Sequence, residues 1–134
     1  MKQKMNQEIL ELKDSAIDDM VDYMKYGGAE DENDPEYDPE FDAGYTQEHV
    51  DRCLAIVDEF LDSLEKPPEA KKNEYILAAA KKTVLKLNKL NEECDYSLIG
   101  TDQREDLAEL INLAAKHAGL ESSVYDITEE WRDW

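Results

Sequence analysis

Two clusters of acidic residues have the side chains and the spacing that metal chemistry requires. Each has the pattern acid-acid-x-x-acid, which places its first and last carboxylates on one face of a helix. They consist of Asp18, Asp19, Asp22, Asp58, Glu59 and Asp62. Carboxylates on neighbouring helices can hold Mg²⁺ for the hydrolysis of a nucleotide or another diphosphate. Because the helical projection turns them away from the apolar residues, we expect them to face solvent and keep a metal-dependent hydrolase as an alternative.

A second set of polar residues falls on inward helical positions. In projection, Arg104 lies within about twenty degrees of Ile111, and Asn88 and Asn91 lie close to the direction of Val84. An inward guanidinium needs a partner, because an unpaired buried charge is costly, and we expect a nearby carboxylate to neutralise it. Two interpretations stay open, a network that caps helices and docks the C-terminal end, or a pocket for an anionic or amide-bearing ligand. The residues concerned are Asn88, Asn91, Thr101, Arg104, Glu105, Asp133 and Trp134.

Residues 29–45, here named the acidic segment, contain a short repeat. Eight of the thirteen residues from 30 to 42 are acidic and none is basic. The unit Asp-Pro-Glu-aromatic occupies 34–37 and 38–41 and recurs in degenerate form at 42–45. Asp before Pro favours turns, so we expect successive tight turns. Aromatic anchors surrounded by charge are typical of interfaces. The residues predicted to contact a partner are Asp34, Glu36, Tyr37, Asp38, Glu40, Phe41, Asp42 and Tyr45.

Other motifs for metals or cofactors are weak or missing. His49 and Cys53 are four residues apart and could share a metal, but Cys53 lies on an apolar stripe and suits a core. The acidic segment lacks the glycine and the bidentate glutamate of an EF-hand loop. The sequence contains neither a glycine-rich phosphate loop nor a G-x-S-x-G nucleophile motif. We therefore expect no cofactor and favour a non-enzymatic protein.

Apolar residues at helical spacing predict four helices that position these groups. We place them at 6–26, 46–65, 69–91 and 101–118, with Thr46 and Thr101 as N-caps. Gly27-Gly28, Pro67-Pro68 and Gly119 interrupt the pattern, and Thr128 begins a short C-terminal turn. The residues predicted to form the core are Leu54, Val57, Leu61, Val84, Leu87, Leu107, Ile111 and Ala114.

No segment alternates with the period of a strand, so the sequence predicts an all-α fold. Four helices with short connections favour a four-helix bundle, with the acidic segment between helices 1 and 2. We expect one helical domain over residues 1–134.

The charge balance restricts the classes of partner. The 134 residues carry 34 acidic and 15 basic side chains, a formal charge of −19, which repels nucleic acid and anionic membranes. No apolar run is long enough to span a membrane, and the N-terminus lacks the apolar stretch of a signal peptide. Two cysteines cannot form a disulfide framework. We therefore expect a cytoplasmic protein, monomeric or dimeric, without nucleic-acid or membrane partners.

Basic residues are concentrated in the third predicted helix. Lys71, Lys82, Lys86 and Lys89 project from one side of it, opposite Val84. They suit either a solvated face or a loose contact with the acidic segment.

Three short motifs in residues 60–134 support a resemblance to a known family. They are a Leu87-Asn88-x-Leu90 helix, the cap Thr101-x-x-Arg104-Glu105 and the ending Arg132-Asp133-Trp134. With them the chain resembles a family of small bacterial proteins catalogued only as a domain of unknown function. It departs from that family at Ala78-Ala79-Ala80, in place of a Thr-His pair, and at Gly100, in place of a glutamate. The resemblance implies a helical fold in the bacterial cytosol and no known activity.

These observations favour a non-enzymatic interaction protein that presents an acidic surface to a basic partner. A bacterial immunity protein or a mimic of nucleic acid would have this composition. The two alternatives are the metal-dependent hydrolase and a ligand-binding bundle built around Arg104.

Overall fold

Four α-helices build the part of the chain that the structure describes, residues 7–134 of a computed structural model. They are α1 (Gln7–Tyr26), α2 (Gln47–Ser63), α3 (Lys72–Glu93) and α4 (Thr101–His117). Residues 7–134 contain no strand, so the predicted all-α four-helix bundle is confirmed. The start of the first helix at residue 6 lies outside the described residues. Within these residues, no helix is both long and apolar enough to cross a membrane.

The helix ends follow local signals in the sequence, with two differences from the prediction. Thr46 is the N-cap of α2, and its backbone N–H donates to Nδ1 of His49 at 3.0 Å, which completes a capping box. However, α3 begins at Lys72 and not at residue 69, because Lys71 has a left-handed backbone with φ of 56°. Gly100 is the N-cap of α4, so Thr101 is its first helical residue.

The core lies between two packed pairs of helices. Helix α1 packs against α4 and α2 against α3, while contact between α1 and α2 joins the pairs. Helices α1 and α3 are therefore diagonal to each other in the bundle. Of the eight residues predicted to form the core, seven are buried. Leu54 is half-buried, because Cys53 and Val57 occupy the inward positions on that part of α2.

Candidate functional site

The three repeat units of the acidic segment share one backbone arrangement. In each unit the side chain of the first aspartate, Asp34, Asp38 or Asp42, accepts the backbone N–H two residues later at 2.8–2.9 Å. In the first two units the backbone N–H of Tyr37 or Phe41 also donates to the carbonyl of that aspartate, at 2.9–3.0 Å. These are Asx turns, in which the aspartate fixes the backbone that follows it. The predicted tight turns are present.

The carboxylates of the acidic segment divide into two groups. Asp34 accepts backbone N–H groups of Glu30 and Glu36, which hold the pKa of Asp34 below its usual value. The first group consists of aspartates that, like Asp34, accept backbone N–H groups and so stabilise turns. The second group is exposed and makes no hydrogen bond or ion pair within residues 7–134. We name it the acidic ridge, and it consists of Glu30, Glu32, Glu36 and Glu40.

The aromatic residues of the repeat point towards α1. The ring of Phe41 lies edge-on to that of Tyr23, with centroids 5.3 Å apart, and the ring of Tyr37 lies 6.1 Å from that of Tyr26. Gly27 lies directly under Phe41, and a Cβ there would come within 3.3 Å of the ring. Because φ of Gly27 is also +62°, glycine satisfies both the turn after α1 and the approach of the ring.

Tyr45 is the aromatic residue of the third repeat unit, and it lies in the core. Its side chain is 5% exposed, and its hydroxyl donates to the carbonyl of Met20 at 2.6 Å. Burial raises the pKa of Tyr45 to about 12. We predicted Tyr37, Phe41 and Tyr45 as aromatic anchors for a partner, but the structure places Tyr45 in the core and leaves the other two half-buried on α1. The turns separate rings from carboxylates, so the rings attach the segment to its own bundle.

The contacts between the acidic segment and α1 have a regular spacing. The segment runs back along the helix, and each step of three residues on α1 matches one four-residue unit of the repeat. The contacts pair Tyr26 with Tyr37, Tyr23 with Phe41, and Met20 with Tyr45. Glu36 and Glu40 of the ridge are thus held on a backbone attached at each unit, while Glu30, just before the repeat, donates its backbone N–H to Asp34.

The lysines of α3 do not contact the acidic segment. Lys86 and Lys82 form ion pairs with Glu59 of α2, at 3.0 and 3.5 Å. The acidic segment lies instead on α1, diagonal to α3. The loose contact considered from the sequence is therefore absent among the described residues.

The two acidic clusters do not meet as a metal site. In the second cluster, Asp58 forms an ion pair with Lys13 at 3.0 Å and Glu59 pairs with α3, while Asp62 is exposed. In the first cluster, burial, followed by the negative charges of Asp106 and Asp102 on α4, raises the pKa of Asp19.

The remaining members of the first cluster, Asp18 and Asp22, are exposed. Within residues 7–134, no three His, Cys, Asp or Glu side chains are grouped as metal ligands.

His49 and Cys53 have structural positions. Nδ1 of His49 accepts the N–H of Thr46 in the capping box of α2. Cys53 is fully buried, and burial raises the pKa of its thiol to about 12. A metal takes the thiolate, which this environment disfavours.

Asp126 is the centre of a polar network that the sequence analysis did not identify. Its Oδ1 accepts the hydroxyl of Thr128 at 2.6 Å, the N–H of Thr128 at 2.9 Å and the side-chain amide of Asn112 at 2.9 Å. Its Oδ2 pairs with Arg132 at 3.0 Å. Burial by itself raises the pKa of Asp126, but hydrogen bonds from Thr128, Asn112 and Arg132 outweigh it and lower the pKa to about 2. The signal in the sequence was the Asp126-x-Thr128 turn pattern, which is common in loops.

Two of the predicted polar residues hold the C-terminal tail, residues 120–134, and the α3–α4 loop. The side-chain amide of Asn88 donates to the carbonyl of Trp131 at 2.8 Å, and its Oδ1 accepts the N–H of Asp133 at 3.2 Å. Asn91 is buried, and its Oδ1 accepts the N–H of Ile99 at 3.0 Å. These contacts match a network that docks loop and tail.

Arg104 lies outside this network. It is half-buried, and its guanidinium makes no hydrogen bond or ion pair within residues 7–134, because the buried part of α4 begins one turn later, at Leu107. The expected pairing of Arg104 with a carboxylate is therefore not present there. Arg132 has that role instead, because it pairs with Asp126 and donates to the main-chain oxygen of Trp134 at 3.0 Å.

The other predicted members are spread around the tail. Thr101 and Glu105 are exposed on α4, and Asp133 is exposed and contributes only its backbone N–H. Trp134 is half-buried, with its ring centroid 5.6 Å from the guanidinium carbon of Arg132. A groove of about 530 Å³ separates α4 from the tail, and Arg104 and Glu105 line it.

The fold and these surfaces define a class: a small acidic four-helix bundle with a turn-repeat segment attached to its first helix. The chain matches no family model, no curated protein and no solved structure. The resemblance of residues 60–134 to a family of unknown function therefore stays a prediction.

Proposed function

We propose that this protein is a non-enzymatic interaction protein that binds a basic partner through its acidic ridge. One observation carries the proposal: four exposed carboxylates without partners in residues 7–134 stand on a backbone fixed by hydrogen bonds to aspartate side chains, and aromatic contacts attach its second half to α1. A segment fixed before binding loses little conformational freedom on association. The ridge therefore combines high charge with a defined shape.

The charge of the whole chain supports a basic partner. A formal charge of −19 attracts a positively charged protein over long range and accelerates its association. Carboxylates in series also imitate the charge of a phosphate backbone. A nucleic-acid-binding protein or a basic toxin enzyme has the complementary chemistry, and nucleic acid and anionic membranes do not.

Neutralising the ridge should weaken binding to a basic probe more than the lost charge alone explains. The ridge variant carries Glu30→Gln, Glu32→Gln, Glu36→Gln and Glu40→Gln, which leave the turn-forming aspartates intact. The probe is a fluorescent decalysine peptide, and anisotropy measures its affinity at low and at physiological salt. We expect affinity to fall about tenfold or more, with a smaller salt dependence.

The matched control removes four exposed glutamates elsewhere, whose side chains also make no hydrogen bond or ion pair within residues 7–134. Its substitutions are Glu11→Gln, Glu69→Gln, Glu129→Gln and Glu130→Gln. We expect it to lose no more than about threefold, since only the net charge changes. Equal losses in the two variants would show that net charge binds the probe and would overturn the proposal.

A second candidate function is suggested by the unpartnered guanidinium of Arg104 beside the groove between α4 and the tail. Here a small anionic or amide-bearing ligand would accept hydrogen bonds from Arg104. Succinate and glutamine are the probes, and a saturable rise in melting temperature is the expected signal. Arg104→Gln should abolish the rise, whereas Arg52→Gln on α2 should keep it. A rise that persists in Arg104→Gln would exclude this site.

A further inference from the structure

The outer side of α3 carries a basic surface that neither the ridge nor the groove beside Arg104 uses. Leu85 is 47% exposed there, and Ala78, one heptad earlier, is also exposed. Residues seven apart lie on one line of a helix. Lysines flank this line on both sides. We name the set the α3 face, and it consists of Ala78, Lys81, Lys82, Leu85, Lys86 and Lys89.

The α3 face continues into shallow grooves between α2 and α3. The hollow on the face itself measures about 440 Å³, and two adjoining hollows measure about 240 and 280 Å³. Lys86 lines all three, and Ile56 of α2 lines the second and third. Together they extend from Tyr75 to Leu90, about 22 Å at the rise of a helix. An apolar floor of this length accommodates about four turns of a second helix.

The charge of this surface is opposite to that of the chain. Two of the acids at its border are already engaged, since Glu59 pairs with Lys86 and Glu93 pairs with Arg52 at 2.7 Å. Lys81 and Lys89 make no ion pair within residues 7–134. An apolar strip with charged edges is the composition of a binding surface. Its positive edge selects an acidic occupant.

We propose that the α3 face docks an amphipathic helix of a partner protein whose apolar stripe is flanked by acidic residues. The protein's own acidic segment does not fit this description, because its rings are packed on α1, diagonal to α3. The proposal is independent of the acidic ridge, because it concerns a different surface and a partner of opposite charge.

Two synthetic peptides of about 18 residues test the proposal, a length sufficient for marginal helix formation. One carries leucines at heptad spacing among glutamates, and the other has the same composition in scrambled order. Anisotropy should show that the patterned peptide binds about tenfold more tightly. ¹H–¹⁵N spectra should place the largest shift changes at Ala78, Leu85 and Lys89. Equal affinity of the two peptides would overturn the proposal, since charge alone would then account for binding.

Variants on the α3 face provide a second test of the proposal. Lys81→Gln with Lys89→Gln should weaken the patterned peptide about tenfold. The same change of charge on α1 and α4, Lys25→Gln with Lys116→Gln, should change its affinity less than twofold. Leu85→Gln tests the apolar strip and should also weaken binding.

Two further results distinguish docking of a partner helix on the α3 face from binding at the acidic ridge and from self-association. The ridge variant should bind the patterned peptide as the unchanged protein does, so the two proposals fail independently. Self-association of the chain that Lys81→Gln and Lys89→Gln abolish would identify a second copy as the occupant. That result would overturn the proposed partner helix.

Discussion

Leu87→Ala should lower the free energy of unfolding by about 2–5 kcal/mol. Leu87 lies on the inner side of α3 and is fully buried, so its removal leaves a cavity that the neighbouring helices fill only in part. Domains of this size are stabilised by about 5–15 kcal/mol, so the loss is a large fraction of the total. Urea unfolding followed by circular dichroism measures it.

The control for this substitution lies two residues earlier on the same helix. Leu85 is 47% exposed, and Leu85→Ala should change stability by no more than about 0.5 kcal/mol. The two substitutions remove the same atoms and have the same effect on helix propensity. Similar losses at both positions would mean that the inner face of α3 has been assigned incorrectly.

Asp126→Asn should lower the free energy of unfolding by about 2 kcal/mol, because hydrogen bonds to an ionised group are stronger than those to a neutral one. Asn keeps the size of the side chain but removes the charge that Arg132 faces at 3.0 Å. Asp133→Asn is the matched control on the same tail, since the side chain of Asp133 is exposed. We expect it to change stability by less than about 0.5 kcal/mol.

The pH dependence of this loss identifies its cause. The pKa of Asp126 is about 2 in the folded protein, against an ordinary value of 3.8, so folding favours the ionised form. Its stabilisation is complete above about pH 5 and disappears as the pH falls towards 2. The stability difference between the unchanged protein and Asp126→Asn should therefore be constant from about pH 5 to 7 and close below about pH 4. A difference that grows on acidification would contradict this assignment.

A double-mutant cycle tests which arginine is coupled to Asp126. Asp126→Asn and Arg132→Met should together cost less than the sum of their separate effects, because both remove one ion pair. The stability effects of Arg104→Met and Asp126→Asn should instead add in the double mutant, since Arg104 makes no ion pair within residues 7–134.

The helices could be predicted from the sequence because their stability depends on apolar spacing and on local end signals. Thr46 and Gly27 are such signals, and both lie where the spacing placed them. Helix α3 starts three residues later than predicted because the backbone of Lys71 is left-handed. A lysine in the sequence does not indicate that conformation. The half-buried position of Leu54 depends on which residues of α2 face α3, a property of the packed bundle.

The candidate site could be predicted only where its structure is local. The Asp-Pro turns follow from neighbouring residues, and they are present. The direction of the rings depends on the return of the segment along α1, where Gly27 leaves room for Phe41. The sequence predicted that Arg104 pairs with a carboxylate, whereas Arg132 does so in the structure, and the reason is similar. A helical projection gives the angle of a side chain, but not how far along the helix the core extends.

The match between one repeat unit and a step of three residues on α1 has a consequence for how this protein can vary in length. Inserting one complete Asp-Pro-Glu-aromatic unit keeps each ring directed at the helix and adds two carboxylates. Inserting a single residue displaces every following ring from its position on α1. We therefore expect duplication in steps of four residues to keep the rings directed at α1, and each added unit increases the negative charge by two.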